Sequence, residues 1–281
     1  MKATKTKTSG YKLPGPNDLN EPPEKLLSYC MLIFGEKGIG KTSLCASFPN
    51  SVVGMLEPRR RNLRIRMEDL SPGWERVLEF TYAAVEADDV DTICYDTADR
   101  LYDSAMAYVC GAKGVDHPNK MNDYGATWKE VKDTFEGLLG IVQNSGKGLV
   151  LTSHAKWKEA ELRNGEKLQI LCPTLSDAPW TIIKAVADFA FYYGYHGNRR
   201  ALYLRGHEDL WCACGTKEHF CDPNGKPVRT IYLGRQGADS WEEDPELAFQ
   251  QLDHSFANMV YDLADVDAGK VSVPKKTKAK A

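Results

Sequence analysis

No apolar run in these 281 residues approaches the length of about 18 that a membrane-spanning helix needs. The start of the chain is basic, with Lys2, Lys5, Lys7 and Lys12 and no acid among them. No apolar core follows, so the segment does not read as a secretory signal. A strong charge of one sign is missing too. The 36 Lys and Arg against 39 Asp and Glu leave a formal net charge of −3, too little to draw the whole molecule to nucleic acid or a membrane surface. The eight cysteines fall mostly inside apolar runs, as at Cys30, Cys45, Cys94 and Cys110. That is the pattern of reduced, buried thiols rather than of a disulfide framework. What remains is an ordinary composition, 42% hydrophobic and 27% charged. The length suits one large α/β domain, alone or with a small appendage, expected in the cytoplasm.

What the sequence does carry is concentrated between Cys30 and Ser43. An apolar run, Cys-Met-Leu-Ile-Phe, leads into Gly35-Glu36-Lys37-Gly38-Ile39-Gly40-Lys41-Thr42-Ser43, the complete G-x-x-x-x-G-K-[ST] loop that cradles phosphates. Gly35, Gly38 and Gly40 allow tight turns and close approach of backbone N–H groups to phosphate oxygens. Lys41 is placed to meet the β- and γ-phosphates, and Thr42 offers a hydroxyl to Mg²⁺. A helix is expected to start near Gly40.

Along the chain, apolar stretches and amphipathic stretches alternate. Strands are expected at 29–34, 51–56, 90–97 and 148–153, and helices at 74–85, 98–110 and 126–143. This alternation predicts a doubly wound, mostly parallel sheet. Val90–Asp96 is an apolar run ending in an acid, the Walker B pattern, which places Asp96 at a strand end where it can hold the Mg²⁺ shell. Glu57 ends the strand after the loop's helix and is a candidate general base. His154 ends the 148–153 strand and is a candidate γ-phosphate sensor. Residues 155–171 read as a polar hairpin turning at Asn164-Gly165. Residues 178–187 read as a short helix, 189–195 and 200–205 as a hairpin around His196-Gly197-Asn198, 228–233 as a strand, and 246–264 as one final helix. The expected organisation is a flexible leader at 1–28, a core at 29–235, a C-terminal helical segment at 236–265 and a basic, disordered tail at 266–281.

Two other clusters stand out. Arg59, Arg60, Arg61, Arg64 and Arg66 are the densest positive group in the folded part, a surface for nucleic-acid backbone, for a neighbouring subunit's nucleotide, or for solvent. Cys212, Cys214, His219 and Cys221 invite a zinc reading, but C-x-C-x₄-H-x-C is not a usual structural spacing. Trp211 and Phe220 beside them favour a packed β-turn.

The order Gly35–Ser43, Glu57, Thr92–Asp96 and Ser153-His154 resembles phage-encoded RecA-like P-loop ATPases of the AAA type, over about residues 28–235. Some members of that family act as single-strand annealing proteins in phage recombination. The resemblance implies a RecA-like P-loop NTPase fold with an antiparallel C-terminal β extension and a terminal helix. It implies Lys41 and Thr42 as phosphate and Mg²⁺ contacts, Asp96 as the Walker B acid, Glu57 as the catalytic glutamate and His154 as the sensor. Its cofactors would be ATP and Mg²⁺. Its partners would be single-stranded DNA and further copies of the chain in the host cytoplasm, with no membrane. Relatives end in a basic segment followed by Gly, Asp and Arg, which Arg229 and Gly234–Ser240 match only loosely. Two other readings stay open: a P-loop kinase of a small molecule, and a nucleotide-dependent assembly factor that does not bind DNA.

Overall fold

The computed structural model describes residues 13–57, 63–161, 165, 167–236, 241–242 and 245–270. In chain order the elements are β1 (Cys30–Gly35), α1 (Lys41–Ala46), β2 (Ser51–Met55), β3 (Met67–Asp69), α2 (Trp74–Glu86), β4 (Thr92–Asp96), α3 (Ala98–Ala112), α4 (Ala126–Asn144), β5 (Gly148–Glu161), β6 (Lys167–Pro173), α5 (Asp177–Val186), β7 (Phe189–His196), β8 (Arg199–Tyr203), β9 (Ala213–Cys214), β10 (Thr230–Tyr232), β11 (Arg235–Gln236), β12 (Trp241–Glu242), α6 (Pro245–Phe256) and α7 (Leu263–Asp267). The main sheet runs β10-β8-β7-β1-β5-β4-β2-β3, with β6 added to β5 and β9 to β7.

From β7 to β3 every neighbouring pair is parallel, while β8, β10, β6 and β9 join antiparallel. This is the expected α/β architecture, a mostly parallel sheet with an antiparallel extension. The central strand β1 is buried along its whole length, as a parallel strand covered on both faces must be. Successive side chains alternate between the two faces. Leu32, Tyr95 and Leu151 pack against α2, α3, α4 and α5 through residues such as Trp74, Leu101, Phe135 and Ile183. Ile33, Val150 and Phe191 pack against α1 and α6 through Leu44, Leu252 and Phe256. Each fully buried side chain of this size contributes about 1.5–3 kcal/mol, so both faces of the sheet anchor the loop that follows β1.

The amphipathic stretch at 126–143 forms α4 and buries Val131, Phe135, Leu138, Leu139 and Val142. Trp128 instead ties down the preceding loop, its indole N–H donating to Asn119 Oδ1 at 2.8 Å.

Two expectations are corrected, and one strand is new. The 148–153 strand does not end at His154, because β5 continues to Glu161 once β6 supplies a partner beyond the end of β1. The edge strand β3 was not expected: three half-buried residues carry no apolar pattern, and its pairing with β2 is made by backbone. The single helix at 246–264 is two helices. Asn258 adopts a left-handed φ of 61°, a helix-ending conformation that Asn tolerates. Its amide is drawn away to the backbone of Cys221 and Glu218. Asp262 then caps α7 through Ala264 N–H. Most of the basic tail, residues 271–281, lies outside the described residues. Among those described, no helix is long and apolar enough to cross a membrane.

Candidate nucleotide site

The loop of residues 35–43 is held between two neighbours of β1. Gly35 pairs with His154 on β5 and with Tyr193 on β7. A Cβ on Gly35 would overlap the Tyr193 carbonyl oxygen, so glycine is required by the close approach of β7. Gly38 and Gly40 adopt φ values of 86° and 109°, a region costly for side-chain-bearing residues. Ile39 is buried among the residues beneath the loop and pins it to the core. Gly35→Ala is expected to lower the calorimetric unfolding midpoint by several degrees, corresponding to about 1–3 kcal/mol for an overpacked site. An unchanged midpoint would mean that β7 retreats freely.

Lys41 and Thr42 lead α1, 5% and 8% exposed. The Lys41 ammonium donates to the carbonyls of Gly35 and Glu36 at 2.9 and 3.0 Å and meets His154 Nδ1 at 3.2 Å. Thr42 donates to Asp96 Oδ2 at 2.5 Å, while Thr152 donates to Asp96 Oδ1 at 2.7 Å. The carboxylate is thus clamped from α1 and β5, and Asp96 is 5% exposed. Because the Thr42 hydroxyl donates to Asp96, its oxygen keeps its lone pairs as acceptors. An oxygen-only set of hydroxyl, nearby carboxylate, phosphates and water suits Mg²⁺.

Glu57 follows Leu56, whose N–H donates to Asp96 O at 2.8 Å. This backbone bond sets Glu57 beside the Asp96 strand end. Glu57 Oε1 lies 2.8 Å from His154 Nε2, and both side chains are about one-quarter exposed, 22% and 24%. Lys41 has only donors, so Nδ1 accepts from it. The neutral ring therefore carries its proton on Nε2 and donates to Glu57. The structure brings Lys41, Thr42, Glu57, Asp96 and His154 together at the C-terminal ends of β1, β2, β4 and along β5.

The other sequence candidates among the described residues do not join this site. Arg59, Arg60 and Arg61 lie outside the described residues, and Arg66 pairs with Asp89 at 3.1 Å near the β3 edge. The Arg229 backbone N–H donates to Asp262 Oδ2 at 2.5 Å. The four zinc candidates have other partners: the Cys212 thiol donates to Tyr203 O, the Cys214 thiol to Thr216 O, the Cys221 thiol to Lys217 O, and His219 stacks on Phe256 at 3.8 Å. Burial pushes the Cys212 thiol up to about 12, which keeps it protonated. No group of three His, Cys, Asp or Glu among the described residues is placed to hold a metal.

Three residues of the site were not anticipated. Thr152 gave one signal, a polar residue inside an otherwise apolar strand. Tyr193 and Arg200 gave none. The Tyr193 hydroxyl and Arg200 Nε stand 3.6 and 3.9 Å from where a Cβ on Gly40 would lie, and only the pairing of β7 with β1 reveals it.

Comparison with known proteins matches residues 27–211 to a family described as AAA domain. Among solved structures, the KaiC-like protein of the hyperthermophilic archaeon Pyrococcus horikoshii OT3 is similar, with 15% identity and a TM-score of 0.39 over 65% of this chain and 80% of that one. No curated protein matches.

Proposed function

The chain belongs to the AAA domain family, and from that premise we propose that it binds and hydrolyses ATP with Mg²⁺ and acts in phage DNA recombination or single-strand annealing, assembling as several copies on single-stranded DNA. The observation that carries the hydrolytic part is the unbroken contact line Lys41–His154–Glu57 beside the Thr42–Asp96 pair. Backbone N–H groups of residues 38–43 and the Lys41 ammonium hold the phosphates. Thr42 and Asp96 would hold Mg²⁺, which when bound would neutralise phosphate charge. Glu57 accepts a proton from the attacking water, and its partial exposure lets that water in. His154 holds the Glu57 carboxylate in place and responds when Lys41 turns to the phosphate.

The DNA part rests on the resemblance to phage annealing ATPases and gains support from the β5–β6 hairpin. β5 leaves the sheet at His154 and carries Trp157, 59% exposed, next to Lys158. Thr174, just past β6, returns to His154 through a backbone bond of 2.9 Å. An exposed indole suits base stacking, and its strand root is the residue facing Lys41. The expected result is ATP turnover raised several-fold by a single-stranded oligonucleotide, with a matching shift to larger species on size exclusion. Turnover and assembly indifferent to the oligonucleotide would end the DNA reading and leave the ATPase reading intact.

A further inference from the structure

The residues placed to act on a γ-phosphate all lie on one side of β1. His154 is on β5, Asp96 ends β4 and Glu57 follows β2. A nucleoside triphosphate seated in the loop with its γ-phosphate on that side has its other end directed across β1, toward β7 and β8. That opposite side is built from polar and aromatic groups. β7 runs on past its Gly35–Tyr193 pair to His196, so Tyr195 stands about 7 Å further out along the strand. Tyr195 pairs with Arg200 across the hairpin, and alternation puts Tyr193, Tyr195 and Arg200 on one face. The guanidinium of Arg200 lies 5.9 Å from the Tyr195 ring centre. The same side chain reaches Gly40, with Nε 3.9 Å from a Cβ position there. Tyr195 is 53% exposed.

Resting on the nucleotide-binding reading above, we propose that Tyr195 and Arg200 form the nucleoside subsite, the Tyr195 ring stacking on the base and the Arg200 guanidinium contacting the α-phosphate and ribose edge. Arg200 is suited to both neighbours, since its planar fork bonds phosphate oxygens and lies against an aromatic face. Gly40 has no side chain to separate Arg200 from the loop. The subsite contributes affinity for the nucleoside, whereas residues 35–43 contribute affinity for the phosphates.

Titration calorimetry of the full chain with Mg²⁺ separates the two, using ATP and inorganic tripolyphosphate as probes. The unaltered protein is expected to bind ATP at least tenfold more tightly than tripolyphosphate. Tyr195→Ala is expected to weaken ATP about tenfold, the scale of one base–aromatic stack, and to leave tripolyphosphate unchanged, while Tyr195→Phe retains ATP affinity. Arg200→Ala is expected to weaken ATP, with Arg200→Lys recovering part of the loss. ATP affinity unchanged in Tyr195→Ala, or equal affinity of the unaltered protein for the two probes, overturns the subsite. Failure of both probes to bind the unaltered protein overturns the nucleotide reading itself.

Discussion

Replacing Lys41 with alanine is expected to cut ATP turnover by on the order of 10²–10³-fold, the loss seen when one preorganised charge-stabilising donor is removed, while the protein stays folded. Lys41 is 5% exposed, and its ammonium is held by two carbonyl oxygens and a ring nitrogen. In such a poorly hydrated place its charge would act on developing phosphate charge with little screening. The change leaves the Gly35 and Glu36 carbonyls without that donor, at about 1 kcal/mol each. It also lifts the desolvation cost of a buried cation, which is of opposite sign. The two effects oppose each other, so the unfolding midpoint moves by only a few degrees. A coupled-enzyme assay and a melting curve on the same preparation decide the matter. Turnover within threefold of the unaltered protein would mean that Lys41 does not meet the phosphates. A collapse of the midpoint would mean that it serves the fold instead.

The contrast between what the residues announced and what they concealed has a physical origin. Gly35–Ser43 is legible because its chemistry is local: spacing within nine neighbouring residues fixes backbone turns, the ammonium and the hydroxyl. Asp96 and Glu57 are legible because each follows an apolar run that becomes a parallel strand, and parallel strands present their ends together. The clamp on Asp96 is another matter, since the Thr152 bond joins residues 56 apart in sequence. Tyr193 and Arg200 reach the loop only through the pairing of β7 with β1 and β8, and no periodicity in residues 189–203 states which strand they will adjoin. The split of the terminal helix is hidden for the same reason. Asn258 is drawn out of helical geometry by the backbone at Glu218 and Cys221, 40 and 37 residues away. Short-range pattern defined the cradle, and long-range pairing supplied its walls.

Glu57→Gln is expected to leave nucleotide binding intact and to slow hydrolysis by about 10²–10⁴-fold, the usual worth of a positioned general base. His154 links Glu57 to Lys41. Lys41 donates to Nδ1, so Nε2–H donates to Glu57 Oε1 across 2.8 Å. A glutamine carbonyl accepts that same hydrogen bond in nearly the same shape, which keeps His154 and Lys41 where they are. What glutamine cannot do is take a proton from water. The loss therefore falls on kcat, with KM little changed. His154→Ala acts on the same group differently, freeing the Glu57 carboxylate rather than removing it, and is expected to cost less than Glu57→Gln. Because the two residues work as one unit, the double variant is expected to lose scarcely more than Glu57→Gln alone. Steady-state kinetics of the two single variants and the double variant measure this coupling. Additive losses would show that His154 and Glu57 serve separate steps, and a Glu57→Gln enzyme with full kcat would remove Glu57 from the chemistry and leave the proton of the attacking water to another acceptor.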